Sequence, residues 1–236
     1  MDELTHTGSL LSALVPATAF HTLIGNLRDP AAIQNAAGEV SRFFNGRLDV
    51  LVNNAANTAG VGGAPLSDIS LEEWNKSIET NLTAPMLLSQ ACLPMLQPSR
   101  SGTDSDGREH GGSIIHVTST RAMQSEPNSE AYAATKAGLI GLTHSMAVSL
   151  AKDLITVNAI CPGWIHVEDE CKEADEAGKQ WEDGLRPEDH EWHLSGRVGT
   201  VEDVWKTLIF LVQSRFVNGS VQVLDGGVTR KMVYPE

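Results

Sequence analysis

The stretch GSIIHVTS, residues 112–119, is an unbroken apolar run bounded by glycine on one side and hydroxyl residues on the other. Its length and β-branched content read as a strand buried on both faces, as in parallel sheets covered by helices on either side. The same pattern recurs in RLDVLVNNAA (47–56), ITVNAICPG (155–163) and SVQVLDGG (220–227), and FHTLIGN (20–26) reads as a further short strand. Between these lie helical stretches. RDPAAIQNAAGEVSRFF opens with Asp29 as N-cap and Pro30 at the first helical position. Ser70 and Glu73 form a capping-box pattern ahead of a helix reaching about Leu96, Ala131–Lys152 reads as another helix, and TVEDVWKTLIFLV (200–212) as a capped one. Strands alternating with helices predict a three-layer, doubly wound parallel α/β sheet of Rossmann type.

Size and composition set the outer limits. The 236 residues suit one domain, and 41% hydrophobic with 20% charged residues is a globular composition. A net charge of −13 argues against nucleic acid and anionic membranes as partners. No apolar run is long enough to span a bilayer. The acidic start MDELTHTGSLLSALVP lacks the basic region of a secretory signal. Cys92, Cys161 and Cys171 show no CxxC spacing, so a reduced, cytoplasmic protein is expected. The domain is read as 1–236, with an atypical N-terminus (1–19), a mobile polar loop (97–112, QPSRSGTDSDGREHGG) and a substrate-loop region (165–195).

In an open parallel sheet, ligands bind beyond the carboxyl ends of the strands. Those ends carry Asn53-Asn54, Ser119 and Pro162-Gly163. EAYAATKAGLIGL (130–142) then places Tyr132 four residues before Lys136, one helical turn apart, in the helix that follows the Ser119 strand. A phenol and an ammonium on one helix face are commonplace. A strand-end serine thirteen residues ahead of them is not.

With these pieces assembled, the chain resembles the short-chain dehydrogenase/reductase family. The matching segments, in family order, are NNAA (53–56), ETNLTAP with Asn81, GSIIHVTS ending at Ser119, Tyr132-x3-Lys136, NAICPGWI (158–165) and GRVGTVEDV…VQVLDGG (196–227). The resemblance spans roughly residues 20 to 236. It implies that Asn81, Ser119, Tyr132 and Lys136 are catalytic, that the cofactor is NAD or NADP, and that the reaction is hydride exchange with a secondary alcohol or ketone. It places Asn26, Leu27, Asn54, Ala55, Ala56, Tyr132, Lys136, Pro162, Gly163 and Ile165 at the cofactor. It also implies a homodimer or homotetramer paired through the helices of residues 71–96 and 131–152. In this reading Ser119 holds the substrate oxygen, Asn81 holds a proton-supplying water, and Lys136 bonds the nicotinamide ribose. A neighbouring ammonium should lower the Tyr132 phenol from its ordinary value near ~10.

The departures are as informative. The family's Gly-rich turn, TGxxxGxG, is missing: Thr7-Gly8 is followed by no glycine until Gly25. On the order of 30 residues, about one βαβ unit, has no counterpart, so the sheet should be N-terminally incomplete. DVLVNN should then be an apolar exposed edge beside an empty slot. SLAKDLITVNAI passes from helix to strand with almost no turn, and FLVQSRFVNGS is also short. A truncated reading of a complete enzyme is the expectation, with a catalytically silent binding or oligomer-forming protein as the alternative. Tight dinucleotide binding is not expected.

Other motifs carry less. DHEWH (189–193) is not HExxH and lies in the substrate-loop region, so no metal is expected. His116, inside a buried strand, reads as a packed, hydrogen-bonded histidine. Ser119 lacks a GxSxG context, which argues against a hydrolase. EDECKEADEAGKQWEDG (168–184) reads as a solvated helix over the substrate entrance, with Trp181 and Trp192 as alternative pocket walls. Val167 replaces the threonine that the family often uses on the carboxamide.

Overall fold

A computed structural model of the chain describes residues 2–98, 103 and 107–232. Much of the 97–112 segment, for which mobility was expected, lies outside the described residues. The elements are α1 (Asp2–Leu14), α2 (Pro30–Phe43), β1 (Val50–Asn53), α3 (Leu71–Ile78), α4 (Ala84–Leu96), β2 (Ser113–Val117), α5 (Glu130–Ser149), β3 (Thr156–Pro162), α6 (Lys172–Ala177), α7 (Pro187–Glu191), α8 (Val201–Gln213) and β4 (Val221–Leu224).

The four strands form one parallel sheet in the order β1-β2-β3-β4. Successive residues of β2 point to opposite faces. Ile114 joins Leu96, Ala147, Leu150 and Val157 in a core beneath α2, α4 and α5, while Ile115 joins Ile160 and Leu211 beneath α8. That two-sided burial is why the strand reads as a continuous apolar run rather than an alternating one. Gly112 opens β2 because nothing larger fits: a Cβ there would lie 2.4 Å from Leu96 Cδ2 and 3.0 Å from the Asp49 carbonyl.

The caps form where the residues require them. Asp29 accepts from the Ala31 N–H with Pro30 at the first helical position, and both Ser70/Glu73 and Thr200/Asp203 close reciprocal capping boxes. α3 and α4 are one long helix interrupted by a π turn at Glu79–Thr83. The short α5-to-β3 connection is made by a 3₁₀ turn at Ala151–Asp153 and a left-handed Leu154 (φ +54°), a conformation that a branched side chain rarely adopts.

Two expectations need correction. Residues 20–26 form no strand; a strand needs a partner edge for its N–H and C=O groups, and among the described residues none lies beside them. Instead His21 stacks on Phe43 of α2, ring centroids 5.2 Å apart. Thr7 and Gly8 lie inside α1, which packs on α6 through the Glu3 carboxylate on the Lys172 N–H and His6 on Asp175 (2.6 Å). The acidic run contributes only the short α6, ended by left-handed Gly178, because Gly178 and Gly184 both adopt positive φ and break the helical path. β1 is an edge strand as expected, with Val52 38% exposed.

His116 lies fully buried in β2, with Nδ1 3.2 Å from Asn53 Nδ2. Burial first, and the Lys136 charge second, push its pKa down to about 4. The unfolded chain takes up this proton near pH ~6.5 but the native chain does not until about pH 4, so stability should fall as pH drops through that window. Urea unfolding at a series of pH values should show a shallower acid decline for His116→Asn than for the parent chain. Equal slopes would remove His116 from the acid response.

Candidate active site

The site forms at the carboxyl end of β2. Ser119 follows the strand in extended backbone and caps a 3₁₀ turn, its Oγ accepting from the Arg121 N–H at 3.2 Å. α5 begins eleven residues later, setting Tyr132 in its first turn and Lys136 one turn on. Both side chains are buried, the lysine at 2% exposure. The Ser119 hydroxyl lies beside the Tyr132 phenol, close enough to favour the phenolate. The Lys136 ammonium donates to the Val117 carbonyl at 2.8 Å and lies 5.4 Å from the centre of the Tyr132 ring. Three of the four expected catalytic residues therefore share one buried cluster.

Electrostatics corrects one expectation. The Tyr132 pKa is raised, not lowered: burial of the phenolate outweighs the Ser119 hydrogen bond and the Arg121 charge. Lys136 is pulled down to about 8 by burial, which weakens its hold on a proton and hence its leverage on the phenol.

Asn81 is buried in the π turn between α3 and α4. Its amide reads the backbone of Asn57 in both directions: Oδ1 accepts from the N–H at 2.6 Å and Nδ2 donates to the C=O at 3.0 Å. Nδ2 also lies 3.2 Å from Thr135 Oγ1, and the Thr135 hydroxyl donates to the Tyr132 carbonyl at 2.7 Å. The side chain expected to hold a water thus ties the segment after β1 to the Tyr132 turn.

The expected cofactor residues fall into two groups. Tyr132, Lys136, Pro162, Gly163 and Ile165 converge at the ends of β2 and β3. Gly163 donates its N–H to the Leu224 carbonyl at 2.9 Å, and a Cβ there would stand 2.8 Å from Asp225 Cβ. Ile165 forms a parallel bridge with Gly199, while Val167 points to solvent. At the other end of the site, Leu27, Asn54 and Ala55 line a small hollow of ≈50 Å³ with Thr80 and Pro85. Ala56 is half-buried beside it, and Asn26 Oδ1 caps the turn by accepting from the Arg28 N–H.

A dinucleotide needs a third feature, a backbone cradle for its diphosphate. Gly8 sits in mid-helix and Gly25 in the unpaired 20–26 segment, and neither has an atom within 4 Å of where a Cβ would stand. The N-terminus of α2 already holds the Asp29 carboxylate, which repels a phosphate. The residues present therefore fit the nicotinamide-ribose half of the cofactor and not the diphosphate half.

Cys161, Thr135, Arg121 and Trp164 were missed by sequence reading. Cys161 is fully buried at the end of β3, its thiol next to the Thr118 hydroxyl and the Ser119 N–H, and burial raises its pKa. Only its place two residues before Gly163 marks it. Of the two tryptophans weighed as pocket walls, Trp192 lines a cavity beside Ser119. Trp181 packs between His166 and His190, ring centroids 6.5 and 5.8 Å away. His193 is locked by an Nδ1 contact to the Asp189 carbonyl at 2.9 Å.

Comparison with known proteins agrees with this architecture. The family model described as enoyl-(acyl carrier protein) reductase matches residues 6–229. An uncharacterized oxidoreductase of Thermotoga maritima is 38% identical over 214 residues, covering 89% of this chain and 77% of the relative. The structure of an apo SCOR enzyme from Clostridium thermocellum superposes with a TM-score of 0.75 at 32% identity, covering 93% of this chain and 77% of that one. The structure of ElxO with NADP bound superposes with a TM-score of 0.69 at 28% identity, covering 90% and 78%. The parallel sheet, the strand-end serine with its Tyr-x3-Lys helix, and these likenesses lead to one conclusion: the chain belongs to the short-chain dehydrogenase/reductase family of oxidoreductases.

Proposed function

We propose that the site exchanges hydride between NAD or NADP and a secondary alcohol or ketone, with Asn81, Ser119, Tyr132 and Lys136 as its working residues. The observation that carries this reading is the buried Ser119–Tyr132–Lys136 cluster at the end of β2. When bound, the nicotinamide supplies or accepts the hydride. The chain's own residues handle the oxygen and its proton. Ser119 would hold the carbonyl oxygen by donating its hydroxyl hydrogen. Tyr132, protonated at neutral pH because burial raises its pKa, would give its proton to that oxygen as the C–H bond forms at carbon. Lys136 would bond the ribose and assist reprotonation of the phenol. With the Asn81 side chain engaged by Asn57 and Thr135, the proton-supplying water falls to the main chain that the π turn loosens. The NADP in the similar ElxO structure supports the cofactor class.

A specific observation favours a second reading. Without a diphosphate cradle among the described residues that precede β1, the chain as given would be a catalytically silent relative with a binding or oligomer-forming role. Charge-assisted phosphate bonds contribute roughly 1.5–3 kcal/mol each, so losing two or three costs several orders of magnitude in affinity. We read residues 1–236 as one domain, with 165–195 as its substrate loop, and the assembly as a homo-oligomer. The faces that would pair are those of α3–α4 and α5.

Three outcomes are expected. Any turnover of a ketone by this chain, or by a form extended with a Gly-rich unit, should drop about 10²–10⁴-fold in Tyr132→Phe with the fold intact; an unchanged kcat would take Tyr132 out of the mechanism. Titration of NADPH followed by tryptophan fluorescence should show no low-micromolar Kd for the 236-residue chain, and such a Kd would reveal another phosphate site. Sedimentation across micromolar concentrations should show a dimer or tetramer, and a uniform monomer would count against assembly through α4 and α5.

A further inference from the structure

A cavity of ≈480 Å³ adjoins Ser119 through Thr120, between the 3₁₀ turn after β2 and the ends of β3 and β4. Its size falls within the roughly 300–1,000 Å³ of small-molecule sites. One wall is aromatic. Trp164 and Trp192 are 40% and 49% exposed and stand on either side of buried His193, ring centroids 6.2 and 5.2 Å from it. His193 is itself held by the Asp189 carbonyl and packs against Gly226, where a Cβ would stand 3.1 Å from the ring. The two indoles are therefore part of a packed wall.

The rest of the lining is polar and holds all three charges: Arg121, Gln124, Ser125, Glu126 and Asp225. Arg121 Nε donates to Glu126 Oε1 at 2.6 Å, so these two charges offset each other. Asp225 accepts from the N–H groups of Gly227 (2.9 Å) and Thr229 (2.7 Å).

Substrate classes can be weighed against this lining. A long alkyl chain would cover Gln124, Ser125 and Glu126 without bonding them, and each polar group buried unpaired costs roughly 1–3 kcal/mol. An anion meets two carboxylates and an arginine already engaged. It must also pass the 165–195 lobe, which carries eleven Asp and Glu against three Lys and Arg. A cation meets Arg121. An uncharged polyhydroxylated molecule fits both walls, since its C–H face is apolar and its hydroxyls both donate and accept. Planar guanidinium, amide and carboxylate groups suit such hydroxyls, and indole faces suit the C–H side.

We propose that this cavity takes a neutral sugar or polyol, laid on the Trp164–Trp192 wall with its hydroxyls on Arg121, Gln124 and Glu126. This rests on the oxidoreductase reading and names the substrate class of that site.

Binding tests the class without requiring turnover. Saturation-transfer NMR on the 236-residue chain, with xylitol and glucose as neutral probes, gluconate as the anion and 2-octanone as the apolar ketone, should show transfer to the two neutral polyols at millimolar concentration. Trp192→Ala, at a half-exposed position, should abolish that transfer. Gln124→Leu should weaken the polyols about tenfold and strengthen 2-octanone, a reversal that misfolding would not produce. Absence of transfer to either polyol, tighter binding of gluconate or 2-octanone by the parent chain, or transfer unaffected by Trp192→Ala would overturn the proposal. Polyol binding with no Tyr132-dependent oxidation of the polyol, or reduction of the matching keto-sugar, in any extended form would instead overturn the oxidoreductase reading and leave the binding class standing.

Discussion

The buried ammonium of Lys136 and its bond to the Val117 carbonyl hold the site together. That carbonyl belongs to the last residue of β2, so the bond ties the first turns of α5 to the end of the central strand. Tyr132 is placed by the same helical turn, and Ser119 by the same strand. An ammonium at 2% exposure is unfavourable unless its donors are satisfied, and its pKa falls to about 8 accordingly. A structural role alone would be met more cheaply by an apolar residue. The role proposed for Lys136, toward the neighbouring phenol and a ribose, would account for a charge at this position.

The second constraint is the sheet. β2 and β3 are covered on both faces and carry the site at their ends, whereas β1 pairs on one side only among the described residues. The ends of β2 and β3 are therefore fully framed, while among the described residues no backbone cradle lies beyond β1. This division explains how one chain can hold a well-formed proton-handling cluster and still lack a seat for phosphate.

Charge and shape divide the labour beyond the catalytic cluster. The 165–195 lobe is strongly acidic, while the Trp164–His193–Trp192 group and the Arg121–Glu126 pair line the cavity next to it. The lobe is also tied down at a distance, by Glu3 and His6 of α1 on α6.

Much of this was legible in the residues. The apolar runs at 113–117 and 156–162, the Asp29-Pro30 start and the Ser70/Glu73 and Thr200/Asp203 boxes are local patterns with local causes, and each element stands where its pattern placed it. The spacing of Ser119, Tyr132 and Lys136 was likewise readable, because a strand end and one helical turn are geometries the chain carries with it. What was not legible depends on neighbours distant in sequence. Residues 20–26 have strand composition but no partner edge, so they pair with nothing. The direction of the Tyr132 shift was misread because burial is a property of the packed interior, and desolvation there outweighs the influence of Ser119 and Arg121. Trp164 and Trp192 lie far apart in sequence and become one wall only when β3, α7 and the turn after β4 close around His193. Local sequence determined the elements and the catalytic spacing; the partners of each edge, the dielectric around each charge and the walls of the cavity were decided only by tertiary contact, because those energies depend on which distant groups exclude water from one another.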